Sequence, residues 1–314
     1  MYKNLKKIST IGMDHDEWLE HRKKAIGGSD ASAIVGLNPY SSPYSVWAEK
    51  RGITKPKADN EAMRLGRDLE EYVAKRFTEA TGKKVRRENA IIYNPHFPFA
   101  HANIDRMVIG EDAILECKTC SALSTKNFKN GAFPDRWYGQ CVHYAGVLGV
   151  QRVYLAVLIL GVDFMVFELD RDEAEIEALM TAEADFWNHV ETNTPPTIDG
   201  AQATTDAIKT IYADSNDDAV DLFGCTSDLD RYIALNKQIK ELEEMRDEAA
   251  NKVKVFMAEA GNGECDRYKV SWKSQTRRTF DSKKFAADHK ELDLSGYYKS
   301  STARIFRVND IKGA

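Results

Sequence analysis

Cysteine is scarce. Five residues in 314, odd in number and irregularly spaced, do not make a disulfide framework, so the thiols read as reduced. Long apolar runs are also missing. The longest, Val153–Val162, is about half of the ~20 residues that a membrane-spanning helix needs. No apolar stretch follows the basic opening at Lys3, Lys6 and Lys7, so no secretory leader is read there and the chain is expected in the cytoplasm. With 19 glycines and 8 prolines, a collagen-like or low-complexity chain is excluded, and 43% hydrophobic residues exclude disorder as the main state. No G-x-x-x-x-G-K-[ST] occurs, which removes ATP-driven helicase–nucleases and a P-loop nucleotide cofactor. Nor is there an excess of positive charge. Lys and Arg number 44 against 49 Asp and Glu, so the net charge is −5 and nucleic acid would have to be met by a local field.

What is present suits an ordinary globular chain of about two domains. Helices are expected at Asp16–Lys24, at Ala31–Val35 after the Gly27-Gly28 turn, and from Ser42-Pro43 to Lys50. A longer one is read at Met63–Thr81, closed by Gly82. Strands are expected at Lys84–Arg87, Ala90–Tyr93, Ile104–Ile109 and Ala113–Lys118. After a helix at Trp137–Leu148, a hairpin (Arg152–Leu160 and Phe164–Leu169) and a helix from Arg171 to Val190 complete an α/β unit with a mixed sheet. The linker around Pro195-Pro196 divides a domain at 1–195 from a region at 196–314. That region reads differently. Leu229–Ala260 carries apolar residues at steps of three and four, as in a coiled-coil-like helix. Short strands at Arg267–Lys273 and Arg304–Val308 make a small β-containing module.

Chemistry concentrates in the strand pair. Asp105 and Glu116 stand eleven residues apart, the right distance for neighbouring strands of a hairpin turning at Gly110-Glu111-Asp112. Glu116 and Lys118 share one face, because side chains repeat every two residues along a strand. Two carboxylates and a lysine are the set that metal-assisted phosphodiester hydrolysis requires: acids for Mg²⁺ and a cation for water or for developing charge. A D-x(n)-E-x-K pattern alone also describes an ordinary surface ion pair.

The surrounding motifs decide between these readings. Trp18-x-x-x-Arg22, Ile26-Gly27-Gly28-Ser29-Asp30 and Gly36-Leu37-Asn38-Pro39-Tyr40 resemble the opening of the YqaJ-type viral recombinases, the bacteriophage lambda exonuclease family. Gly66-x-x-x-Glu70 with Phe77 and Thr81-Gly82 is similar to that family's second block. Asn103-Ile104-Asp105, Glu116-Cys117-Lys118 and Gln140-x-x-His143-Tyr144 resemble the rest, in order. The resemblance implies a PD-(D/E)xK, restriction-endonuclease-like core with a mixed central sheet flanked by helices. It implies Asp105 and Glu116 as metal ligands, the Cys117 carbonyl as a further one, and Glu70 completing a site for a second ion. Lys118 would position or activate water and Gln140 would orient the site, while Arg22 and Ser29 would hold a 5′-terminal phosphate. The chain departs from the family pattern at Arg106, where many members have Gly, at Ile104 in place of Pro, and at Val142 in place of a second Gln. Arg106 is read as a DNA contact or a surface charge.

The implied activity is a Mg²⁺-dependent (Mn²⁺ substituting), ATP-independent 5′-to-3′ exonuclease on double-stranded DNA ends, encoded by a phage or prophage. It would leave 3′ overhangs for a single-strand annealing protein and would work as a homotrimer in the bacterial cytoplasm. A restriction-like or structure-specific endonuclease is the rival enzyme, and a non-catalytic DNA-end-binding assembly protein is the rival from another class. The run Lys83, Lys84, Arg86, Arg87 reads as a solvated face or as phosphate contacts. Cys117 and Cys120 fall on opposite faces of a strand and read as structural, as does His143. Of the adjacent acids, Glu71 reads as the solvated one.

Overall fold

A computed structural model describes residues 2, 4–55 and 59–309, except for the side chains of 125–127, 129 and 130. It divides into two units, Met1–Tyr212 and Ala213–Ala314. The first opens with β1 (Lys6–Ser9), α1 (His15–Lys23), α2 (Gly28–Ile34), α3 (Pro43–Lys50) and α4 (Glu61–Thr81). Then come β2 (Val85–Arg87), β3 (Ala90–Tyr93), β4 (His101–Ala102), β5 (Arg106–Val108) and β6 (Ala113–Cys120). It is completed by α5 (Asp135–Leu148), β7 (Arg152–Ile159), β8 (Asp163–Asp170), α6 (Glu173–Glu191) and α7 (Gln202–Ile211).

The main sheet runs β2-β5-β6-β7-β8. Its β6–β7 pair is parallel and the other pairs are antiparallel, so the sheet is mixed as expected. A parallel pair needs a crossover, and α5 supplies it. Strand alternation then sorts the core into two layers. Ile114, Val153 and Leu155 pack on the α5 side, whereas Leu115, Tyr154 and Ala156 pack with Val73 and Phe77 of α4. α4 begins where the Asn60 side chain accepts a hydrogen bond from the Met63 amide (3.0 Å) and ends at Gly82, whose φ of 73° only glycine adopts without strain. A smaller sheet, β1-β3-β4, flanks this body.

The first unit runs past the expected boundary at residue 195. Ala207 of α7 is buried with Tyr44 and Trp47 of α3, and Thr204 Oγ1 donates to Ser42 Oγ at 2.7 Å. The apolar face of α7 has its partner in the first unit, so the chain joins it there.

The second unit carries α8 (Thr226–Met257), β9 (Asn262–Glu264), β10 (Lys269–Ser271) and α9 (Ser282–Asp288). α8 matches the coiled-coil-like stretch read from the sequence. The strand expected over 304–308 does not form: β10 pairs with β9 instead. No helix among the described residues is long and apolar enough to cross a membrane.

Candidate active site

The register of β5 and β6 sets the site. Arg106 lies opposite Leu115 and Met107 opposite Ile114, so one step along the ladder Asp105 comes level with Glu116. Asp105 ends the strand early by turning its carboxylate onto the neighbouring backbone: the Cys117 amide donates to Asp105 Oδ2 at 2.7 Å. Glu116 is buried, and its two oxygens differ. Oε1 lies 2.7 Å from Lys118 Nζ and accepts from Gln140 Nε2 at 2.7 Å. Oε2 is buried without a hydrogen-bond partner. A buried carboxylate oxygen left bare is costly unless a cation or donor reaches it.

The electrostatics agree. Burial, reinforced by the charge of Glu116, pushes the Asp105 carboxyl well above the usual carboxylate range. Burial likewise raises Glu116 against the opposing charge of Lys118. Lys118 would be lowered by burial, but Glu116 and Asp105 outweigh that and raise it. The pair thus carries more negative charge than one lysine neutralises, an environment that a divalent cation relieves.

Gln140 is fixed from three sides. Its Nε2 also donates to Tyr144 Oη (3.0 Å), which donates to the Asn103 carbonyl (2.8 Å), and its amide donates to Ser32 Oγ (3.0 Å). This needs α2 and α5 to approach closely, which explains two glycines. A Cβ on Gly28 would sit 2.6 Å from the Tyr144 ring, and one on Gly139 would sit 2.9 Å from Ser32 Oγ. The Gly27-Gly28 turn leads into a helix N-cap as expected: Gly27 caps α2, and its amide donates to Asp30 Oδ2 at 3.0 Å. Ser32 and Tyr144 went unremarked as Gln140 partners, although both lie at helical spacing from motif residues.

Glu70 of α4 lies near enough for its charge to raise both Asp105 and Glu116, and its carboxylate is paired with Arg106. Arg106 is buried against α4, where its Nη1 donates to Glu70 Oε1 and its Nη2 donates to Glu71 Oε2 at 2.9 Å. The expectation that Arg106 is a DNA contact or a surface charge is therefore corrected. Among the described residues no three His, Cys, Asp or Glu side chains form a group that could hold a metal. The donor set is the Asp105–Glu116 pair with the nearby backbone.

Arg22 and Ser29 do come together: Arg22 Nη2 donates to Ser29 Oγ at 3.1 Å, under the Trp18 ring. Beside them burial would raise Asp30, but Lys50 and Arg22 outweigh it and hold that carboxyl well below the usual range. Three residues of the basic run are paired with acids. Lys83 pairs with Glu111, Arg86 with Glu88 (3.0 Å), and Arg87 with Glu70 and Glu71. His143 is buried, with Nδ1 2.8 Å from Glu183 Oε1 and Nε2 2.9 Å from the His101 carbonyl, joining α5 to α6 and β4. Cys117 and Cys120 are free thiols on β6.

A family model described as a YqaJ-like viral recombinase domain matches residues 17–151. The uncharacterized protein YqaJ of Bacillus subtilis (strain 168) is 40% identical over 278 residues, covering 87% of each chain. Among solved structures, an alkaline exonuclease (LHK-Exo) from Laribacter hongkongensis matches at a TM-score of 0.50 with 20% identity, over 57% of this chain and 94% of that one. Its complex with dAMP matches at 0.51 over the same shares. Over that part of the chain the fold is therefore the one seen in LHK-Exo, a mixed central sheet flanked by helices.

Proposed function

The chain belongs to the family of YqaJ-like viral recombinases, and on that premise we propose that it is a Mg²⁺-dependent, ATP-independent exonuclease acting on double-stranded DNA ends. The observation that carries this reading is the bare Oε2 of buried Glu116 beside Asp105. Mg²⁺ takes one or two carboxylates and fills its remaining positions with water and substrate phosphate, which this donor set allows. Asp105, Glu116 and the Cys117 carbonyl would hold the ion, and Mn²⁺ would substitute for it. When bound, it supplies charge neutralisation at the scissile phosphate and a more acidic water.

The chain's own groups do the rest. Lys118, tied to Glu116, holds its charge beside the carboxylate pair, where it would position or activate water and stabilise charge that develops in the transition state. Gln140, locked by Ser32 and Tyr144, keeps the Glu116 carboxylate in one orientation, so that little reorganisation is needed at the moment of reaction. Arg22 and Ser29 offer a guanidinium and a hydroxyl to a 5′-terminal phosphate, which supports 5′-to-3′ polarity and 3′ overhangs as products. A single-strand annealing protein would take up those overhangs, and a homotrimer would give processivity without an ATP motor. Lys83, Arg86 and Arg87 would reach DNA only by leaving their acidic partners.

The test is digestion of end-labelled linear duplex, with a 5′ phosphate or a 5′ hydroxyl, beside a covalently closed circle. Mg²⁺-dependent release of nucleotides from the phosphorylated linear duplex, stopped by chelator and sparing the circle, is the expected result. Cutting of the circle would mean an endonuclease, and binding without hydrolysis would mean an end-binding protein. Sedimentation of the full chain tests the trimer.

A further inference from the structure

Beside Arg22 and Ser29 lies a buried ion pair that the chemistry above does not use. Lys50, at the end of α3, has only 2% of its side chain exposed. Its three ammonium donors meet three acceptors: Asp30 Oδ2 at 2.6 Å, the Arg22 carbonyl at 2.6 Å and the Ala25 carbonyl at 2.8 Å. Asp30 divides its two oxygens unequally. Oδ2 meets Lys50 and also accepts from the Gly27 amide at 3.0 Å, whereas Oδ1 lies 3.4 Å from Arg22 Nη2, long for a hydrogen bond. Arg22 Nη2 is closer to Ser29 Oγ, at 3.1 Å, and the Arg22 side chain is 25% exposed where that of Asp30 is 10%. Burial opposes the Asp30 charge, and Lys50 does more than Arg22 to offset it. His101, the third basic group near Asp30, is kept neutral by burial and by the charge of Lys50.

We propose that Lys50 is a positioning residue for recognition of the DNA end: it takes up Asp30, so that the Arg22 guanidinium stays available to a 5′-terminal phosphate. This rests on the reading of Arg22 and Ser29 as the contacts to that phosphate. A buried carboxylate without a close cation is costly, so Asp30 needs one. Were Lys50 absent, the cation within reach would be Arg22. A guanidinium binds a carboxylate through paired N–H donors, the same donors that it offers to a phosphate, so the two anions compete for one group. Lys50 settles that competition from inside the fold. Two cations against one carboxylate leave the group net positive, and the surplus sits on Arg22, the more exposed of the two. Glu49 also feels the Arg22 charge but makes no ion pair with it among the described residues.

The test compares kcat/KM on a short end-labelled duplex carrying a 5′ phosphate with that on the same duplex carrying a 5′ hydroxyl, using the full chain and Mg²⁺. The ratio of the two is read, so that a loss of folded protein cancels. Wild type should prefer the phosphate, and Arg22→Ala should bring the ratio close to one. Lys50→Met, similar in size and without charge, should lower the ratio at least about fivefold as Asp30 takes up Arg22. Asp30→Asn removes a negative charge beside the phosphate and should raise the ratio about threefold or more. Lys50→Met with Asp30→Asn should return it to the wild-type level or above. A ratio unchanged in Lys50→Met would overturn the inference. So would a ratio that falls in Lys50→Met and does not recover in the double variant, which would make Lys50 only a tie for the Arg22 backbone. A ratio at or below wild type in Asp30→Asn overturns it too, and decides alone if Lys50→Met does not fold. A wild-type ratio close to one, or a preference that survives Arg22→Ala, would remove the end-binding reading first and this inference with it.

Discussion

Within residues 2–212 two apolar clusters pack on the mixed sheet and a third joins helices, whereas within 213–309 Met257 is the one buried residue among those described. The two stretches have similar patterning in sequence. α4 and α8 both repeat apolar residues at helical spacing, yet Val73 and Phe77 on α4 are buried while Leu235, Ile239 and Leu242 on α8 are exposed. Periodicity tells which face wants a partner, not whether the same chain supplies one. The first unit therefore holds its chemistry on a self-sufficient scaffold, and the second presents a face whose burial depends on something else.

The sharpest way to break that comparison is at the site. Glu116→Ala should lower Mg²⁺-dependent hydrolysis by about 10³-fold or more, the scale of losing a transition-state group. A chain ending at Tyr212 should keep hydrolysis of a short duplex within about tenfold of wild type. Initial rates on end-labelled duplex check both. Loss of hydrolysis in the truncated chain would show that the second unit completes the site.

Next comes packing. Phe77 of α4 is fully buried and its ring centroid lies 5.3 Å from that of Tyr154. Phe77→Ala should cost about 3–5 kcal/mol through lost burial and a residual cavity. Urea unfolding followed by tryptophan fluorescence reads this, and a cost below about 1 kcal/mol would mean that the α4 layer is not a core.

The sequence made most of this legible, for a reason that differs by region. Where a residue's neighbours in space are its neighbours along a ladder, spacing was enough: Asp105, Glu116 and Lys118 came together because hairpin register and two-residue alternation place them. The helices over 43–50 and 61–81 were readable because their caps, Ser42 and Gly82, are local. Arg106 was not readable. Its burial depends on α4 crossing beneath β5, a tertiary fact that a lone charged residue in a short strand does not announce. The strand expected at 304–308 does not form; its apolar Ile305 and Phe306 are adjacent and both exposed, so the segment has no buried face to hold it against a sheet. α7 fell beyond the predicted boundary because Pro195-Pro196 marks a turn in the chain, not the end of its core.

The first unit also carries two buried histidines whose pKa values move in opposite directions. Burial would lower His143, but Glu183 outweighs it and raises the imidazole above its ordinary value. His101 goes the other way, driven down to about 3 by burial and by the charge of Lys50, with Arg22 and His143 adding to it and Asp30 opposing. A raised folded pKa means that His143 stabilises fully below about pH 6.5 and loses that contribution as pH rises through its folded value. A depressed one means that His101 contributes above about pH 6.5 and loses it as pH falls towards 3. Each pH unit within either window is worth about 1.4 kcal/mol per group. Glu183→Gln should flatten the alkaline branch of stability against pH and leave the acid branch, as urea midpoints from pH 4 to 9 would show. An alkaline branch unchanged in Glu183→Gln would mean that His143 is not its source.

The smallest effect is expected on α8. Leu242 is 63% exposed, so Leu242→Ala in a chain that packs as described should change stability by no more than about 0.5 kcal/mol, the range of surface substitutions. That near-silence is informative because Phe77→Ala, also an apolar-to-alanine change on a helix, should cost several times more. At about 1.5 Å per residue, the 32 residues of α8 extend roughly 48 Å, with apolar side chains recurring along most of that length. A face of that extent is long enough for a coiled-coil pairing between copies of the chain. If such pairing occurs, the effect of Leu242→Ala should grow with protein concentration, because stability is then tied to association. Measuring the substitution at about 1 µM and about 50 µM separates the two cases. A cost that stays within about 0.5 kcal/mol at both concentrations leaves α8 an exposed helix, and a cost that climbs with concentration makes it the assembly element of the molecule.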